Sequence, residues 1–380
     1  MPILQRYSGE ELGSKPHIVV LGSCKVGNFV VSTPALRGLK ERFPDAILGF
    51  VGSEVTSAFE TTNPFIDWRV SWDLNSTDAG LRLHQFIADR VSEYGLIALA
   101  VNLDGFNPVT CSLTSWLRPR FVAGGCLSEN LRKTLPAGDR PEQKFLQDPD
   151  WDSIAFLDRY KEIFESNYIA ELFCRLSFVA DFVDFNSMDL SQVQPPFAVP
   201  DVLIHCTTAR GAKVWPFQCW QRVIDHLSSK GLSVGLVGSP PAAQKEAYNS
   251  QGHEDALLAE TALIDLRGQT SLIELAGASA MARAVISVDA GPLHIAAAVG
   301  TPTLAIVGND SHGIGASPIR LWMPRSPNIQ RTVSDFTCTA CAHNRYRNDE
   351  CIVPGHPCML GVNPEQVIDW LDQLSPSLYS

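Results

Sequence analysis

Residues 288–300 read Val-Asp-Ala-Gly-Pro-Leu-His-Ile-Ala-Ala-Ala-Val-Gly, an acidic residue closing an apolar run and a helix opening straight after it. Gly291 permits a tight turn. Pro292 falls at the first helical position, where its missing N–H costs no hydrogen bond. The amides left open around Gly291 and Leu293, at the positive end of the helix dipole, form an anion site suited to a diphosphate. Asp289 stands where it can accept hydrogen bonds from ribose hydroxyls or orient those amides. His294, one turn in, can donate to a phosphate or to a sugar. The same residues also fit a plain strand-to-helix turn, with Asp289 as the helix cap and His294 as a core residue.

A second constellation is Cys338-x2-Cys341-x9-Cys351-x6-Cys358, four of the ten cysteines. The first pair has metal-ligand spacing, and four thiolates suit structural zinc or an iron centre, with His343 and His356 as substitutes. Two disulfides or four free thiols packing the end of the chain are the alternatives. The cluster lies beyond the Asp289 turn, so a metal there is expected to be structural rather than catalytic.

These groups need a scaffold. The chain has 380 residues, which suggests two domains, and 45% hydrophobic residues, enough for two cores. The net charge of −11 and the lack of a long basic run argue against a nucleic-acid partner. No apolar run reaches the roughly 18 residues that span a bilayer, and residues 1–15 lack a secretory apolar segment. The expectation is a cytoplasmic chain without a transmembrane segment, with peripheral membrane association left open.

Apolar runs at Ile18–Leu21, Ile47–Val51 and Leu96–Val101 alternate with a glycine-containing turn (Gly22–Asn28) and a helix from about Phe29 to Arg42. This is the βαβ pattern of a parallel sheet. Residues Asp150 to Phe178 show helical spacing. Three prolines in Pro195–Pro200 mark a linker. The alternation then repeats: strands at Val202–His205, Val234–Gly238, Ala284–Val288 and Thr303–Val307, helices at Trp220–Lys230, Leu272–Ala282 and Leu293–Val299, and a last helix at Pro364–Leu374. Gly231 and Gly300 are expected to cap two of these helices. The architecture expected is α/β, two Rossmann-like domains (residues 1–195 and 196–380) facing a cleft at their C-terminal strand edges.

The segment "DAGPLHIAAAVGTPTLAIVG" resembles the donor-site motif of glycosyltransferase family nine, the ADP-heptose:lipopolysaccharide heptosyltransferase type. "IHCTTARGAKVWPFQCW", "VVLGSCKVGNFVVSTPALRGLKERFPDA" and "VNLDGF" resemble further family segments, and in order and spacing these cover most of residues 17–310. The resemblance implies the GT-B type of fold, with the nucleotide-sugar donor in the C-terminal half and the acceptor in the N-terminal half. It implies an inverting, metal-independent transferase that needs no cofactor and takes heptose from ADP-heptose. Carried over by position, Thr207 and Thr208 would bond donor phosphate and Lys213 would neutralise it. Asp289, Ala290, Gly291 and His294 would complete the site. Cations, hydroxyls and amides aimed at a nucleoside diphosphate stabilise the charge that develops as it leaves.

One departure stands out. Inversion needs a base for the acceptor hydroxyl, and the family's aspartate after the loop glycine is here Asn28, which has no useful basicity. Asn28 then only positions the acceptor, or Asp104 at a strand end serves instead, or the protein binds its ligands and catalyses poorly. Lys25 in the same loop can meet an acceptor phosphate or carboxylate, or face solvent, and Asp104 can equally be a helix cap. A nucleotide-sugar epimerase of similar fold and a non-catalytic nucleotide-sugar-binding protein are the competing functions. Acceptors of three kinds fit: a lipid-linked glycan, a protein or a small molecule.

Overall fold

The computed structural model describes residues 4–149, 151, 155–248, 252–308, 319–334, 336, 338, 340, 341 and 348–374. It divides into two compact units, residues 1–191 and 192–380, so the boundary falls four residues before the expected one. The proline-rich stretch is docked rather than free: the Val193 amide donates to Ile273 O at 3.0 Å, and Gly277 lets the Val193 carbonyl lie against its helix.

The N-terminal unit holds a six-stranded parallel sheet. Its strands are β1 (Gln5–Arg6), β2 (His17–Leu21), β3 (Ile47–Gly52), β4 (Trp68–Ser71), β5 (Ile97–Asn102) and β6 (Phe121–Gly124), in the order β1-β6-β5-β2-β3-β4. Every residue of β2 is buried. Strands covered by helices on both faces read as unbroken apolar runs, which is why β2, β3 and β5 stand out in the sequence. The helix Val26–Arg42 contains Pro34, which cannot donate back to Val30. The Thr33 hydroxyl supplies the missing bond, donating to Val30 O at 2.8 Å, and its oxygen also accepts from the Asp189 amide at 3.0 Å.

Residues 150–178 do not form the one long helix that their spacing predicts. Among the described residues there are short helices at Phe145–Gln147, Phe156–Tyr160 and Ile169–Leu176; residues 150 and 152–154 of the expected helix lie outside the described set. The break has a clear cause. Buried Glu171 accepts from the Glu165 and Ser166 amides, both at 2.7 Å, so the chain is capped afresh there. The ring cluster of Phe145, Phe156 and Phe164 fills the space an uninterrupted helix would cross.

The C-terminal unit repeats the plan with β7 (Val202–His205), β8 (Val234–Leu236), β9 (Ile264–Asp265), β10 (Ala284–Val288), β11 (Thr303–Gly308) and β12 (Ile329–Val333), again parallel, in the order β12-β11-β10-β7-β8-β9. This is the doubly wound Rossmann order, whose direction reverses between β7 and β10. In open sheets of this order, ligands bind at the carboxyl ends of the strands where the direction reverses. Gly231 (φ +78°) and Gly300 (φ +86°) end the helices Phe217–Ser229 and Gly291–Ala298 in the left-handed conformation that glycine adopts freely. The last helix, Pro364–Gln373, lays Val367, Trp370 and Leu371 on the core of this unit, beside Trp220 and Ile224. Among the described residues no helix is long and apolar enough to cross a membrane.

Candidate nucleotide-sugar site

The loops after β7 and β10 meet at the switch point. Lys213, in the short turn Gly211–Lys213, places Nζ 2.7 Å from Oδ2 of Asp289. Neither side chain is sealed off, at 18% and 11% exposure, so an incoming anion can reach the ammonium. Asp289 does not cap the helix that follows. Ala290 occupies the N-cap of Gly291–Ala298 and makes no side-chain cap bond, while the Leu293 amide donates to Ala290 O at 3.2 Å. The Asp289 carboxylate is held by the lysine.

His294 is buried one turn in, and its Nδ1 has no hydrogen-bond partner among the described residues. Burial lowers its pKa to about 4; nearby Lys213 adds to the fall and Asp289 opposes it. The ring is neutral at pH 7, so it can exchange a hydrogen bond with a ligand but brings no charge.

Thr207 is fully buried and donates to Gln244 Oε1 at 2.7 Å. Its hydroxyl is thus engaged inside the protein rather than offered to a phosphate, and it belongs to a layer beneath the loop. Buried Glu254 lies in the same layer, 3.3 Å from Arg267, with its pKa raised by burial against the pull of Arg267 and Thr207. His205 Nδ1 pairs with Val237 O at 2.9 Å, and Thr208 is buried. Gln244, Glu254 and Arg267 carry no motif. Only the folded chain brings them under β7.

In the N-terminal unit, the loops after β2 and β5 also lie side by side. Exposed Lys25 is the N-cap of Val26–Arg42 without a side-chain cap bond, and Asn28 is half-buried in the first turn. Asp104 follows β5, half-buried, with its pKa raised by burial; a hydrogen bond from Asn107 Nδ2 at 2.8 Å and the charge of Lys25 pull the other way. Lys25 and Asp104 thus sense each other. Asp104 is not a helix cap either: Asn107 takes that place, accepting from the Val109 amide at 2.9 Å.

The four C-terminal thiols, all reduced, lie within one another's electrostatic reach. The pKa of Cys358 is pushed up to about 11, first by burial and then by Cys351, Cys338 and Cys341. Cys341 is raised likewise by burial, Cys351 and Cys338, against a 3.0 Å hydrogen bond from Asn348 Nδ2. Among the described residues no three His, Cys, Asp or Glu side chains stand in metal-ligating geometry. His343 lies outside the described residues.

Two parallel, doubly wound sheets of this kind make up the GT-B type of glycosyltransferase fold. The family model for glycosyltransferase family 9 (heptosyltransferase) matches residues 180–352. Lipopolysaccharide heptosyltransferase 3 of Escherichia coli K12 is 24% identical over 312 residues, 80% of this chain and 83% of that protein. The structure of E. coli ADP-heptose lps heptosyltransferase II superimposes with a TM-score of 0.64 at 17% identity, covering 96% of this chain and 100% of that one. The iron-containing dodecameric glycosyltransferase TibC from enterotoxigenic E. coli gives 0.57 at 16% identity, over 97% of this chain and 78% of that one. The chain is a glycosyltransferase of the heptosyltransferase type, matching glycosyltransferase family 9 over residues 180–352.

Proposed function

We propose that the chain transfers heptose from ADP-heptose, with inversion, to a hydroxyl of a lipopolysaccharide-like glycan on the cytoplasmic side. The observation that carries the donor half is the Lys213–Asp289 pair beside the uncapped helix Gly291–Ala298. A diphosphate entering there takes Lys213 from Asp289 and meets the positive end of the helix, while Asp289 is released to accept from ribose hydroxyls. As the bond from the anomeric carbon to phosphate oxygen breaks, the charge gathering on the leaving ADP meets the ammonium, the helix end and His294. Thr208, Ala290 and Gly291 line this loop pair, and Thr207 acts from below through Gln244.

The proton lost by the attacking hydroxyl goes to Asp104, whose raised pKa makes it a better base than an ordinary aspartate. Asn28 orients the acceptor by hydrogen bonding, and Lys25 draws its anionic groups to the loop. The products are the glycoside, ADP and a proton. The match to a family of transferases favours transfer over the epimerase alternative.

The four thiols suit a structural metal by donor chemistry, and TibC, a protein of similar fold, is described as iron-containing. Cys338, Cys341, Cys351 and Cys358 would hold it as a cross-link, with no part in the transfer. Elemental analysis should find about one metal per chain; a chain purified anaerobically without metal would reject this reading.

Calorimetry and nucleotide release with a panel of nucleotide sugars test the rest. ADP-heptose should bind and turn over in wild type, Asp289→Ala should abolish binding, and Asp104→Asn should bind but turn over slowly. Turnover restricted to Asn28→Asp would instead mark a lost base, and binding of no nucleotide sugar would sink the donor assignment.

A further inference from the structure

The loop that presents Lys213 is held less by its own unit's sheet than by a segment far along the chain. Arg210 Nε donates to Asn348 O at 2.9 Å, and the Ala212 amide donates to Asp349 O at 2.9 Å. His356 Nε2 pairs with Ala212 O at 3.1 Å, and the Trp215 indole N–H donates to Val362 O at 3.0 Å. Gly211 lies so close to the Glu350 carboxylate that a Cβ would overlap it. The residues on both sides of Lys213 are therefore tied to 348–362, the segment that also carries Cys351 and Cys358. Asn348 in turn reaches Cys341 Sγ.

We infer that residues 348–362 are a positioning strap for the donor loop: they set where the Lys213 ammonium stands, and hence nucleotide affinity, without touching the nucleotide. The physical reason is the loop's composition. A short turn of Gly-Ala-Lys has no apolar side chain large enough to anchor itself, so backbone hydrogen bonds to the strap take that part. His356 and Trp215 are positioning residues in this arrangement. A consequence is that the state of the Cys341 thiol acts on donor binding through the Asn348 contact. The effect on nucleotide affinity rests on the donor role proposed for Lys213; the mechanical coupling does not.

Hydrogen–deuterium exchange on the intact chain reads the coupling with no ligand present. His356→Ala and Trp215→Phe, the latter keeping its aromatic bulk, should each speed exchange at the amides of Ala212, Lys213 and Val214 while β7 and β10 exchange as in wild type. Calorimetry with ADP should show a dissociation constant raised about 3- to 10-fold in His356→Ala, the size of one hydrogen bond lost. That increase should vanish in a Lys213→Ala background, because two residues acting through one group do not add. Unchanged loop exchange in both variants, acceleration spread through β7 and β10, or additive losses in the cycle would each overturn the strap. If ADP binds to neither wild type nor variants, the donor reading fails, and loop exchange alone then decides whether the strap exists.

Discussion

Lys213 and Asp289 neutralise each other at 2.7 Å, so in the donor role proposed for this pair a nucleotide must compete with a carboxylate already in place. This makes the pair a selector for strong anions: a diphosphate bears enough charge to take the lysine, and a neutral sugar does not. Lys213→Met should weaken ADP binding by about 10- to 100-fold, the range for a lost charge-assisted hydrogen bond, measurable by calorimetry. Asp104 carries the complementary prediction. Replacing it with Asn should lower kcat by about 100-fold or more while leaving ADP affinity unchanged. Because burial raises its pKa, the acid limb of the wild-type rate profile should sit above the ordinary aspartate range near 3.9. His294 tests the site through stability. Its folded pKa of about 4 lies below the unfolded value near 6.5, so the unfolded chain binds more protons between those limits. Stability should fall as pH drops from about 6.5 to 4, and His294→Gln should flatten that slope in urea titrations; His17, His205 and His356 are shifted the same way and leave a remainder.

At the scale of elements, Thr33 shows how a helix accommodates an internal proline. Thr33→Val keeps the shape but leaves the Val30 carbonyl and the Asp189 amide without their partner, and should cost about 1–3 kcal/mol in urea unfolding. The same scale separates what the residues disclose from what they conceal. Strands buried on both faces, such as β2, β7 and β10, are legible because burial demands an unbroken apolar run. β9 is two exposed residues and β12 has one buried residue among five, so neither stands out. The aromatic spacing of 150–178 misleads, since rings at 3–4 intervals also build an irregular cluster. At the site, Asp289, Gly291 and Lys213 are visible through turn chemistry and family likeness. Gln244, Glu254 and Arg267 are not, because their proximity to Thr207 arises only when β7, β8 and β9 pair.

For the whole molecule, two sheets of like topology each carry charged groups in the loops after their strands: Lys213 with Asp289 in the C-terminal unit, and Lys25 near Asp104 in the N-terminal unit. If the thiols hold a metal, chelation should lower the melting temperature of the C-terminal unit, whose core includes Cys358, Met359 and Val362, and leave the N-terminal transition in place. Differential scanning calorimetry of the full chain with and without chelator measures this directly.

The contacts that hold the Lys213 loop span 138, 144 and 147 residues of sequence. A ribosome releases the loop long before it releases Asn348, His356 and Val362. During synthesis strands β7 to β12 therefore emerge before the segment that holds this loop. A chain interrupted before residue 348 would lack all of these contacts, and the amides of its Lys213 loop should exchange faster than in the intact chain.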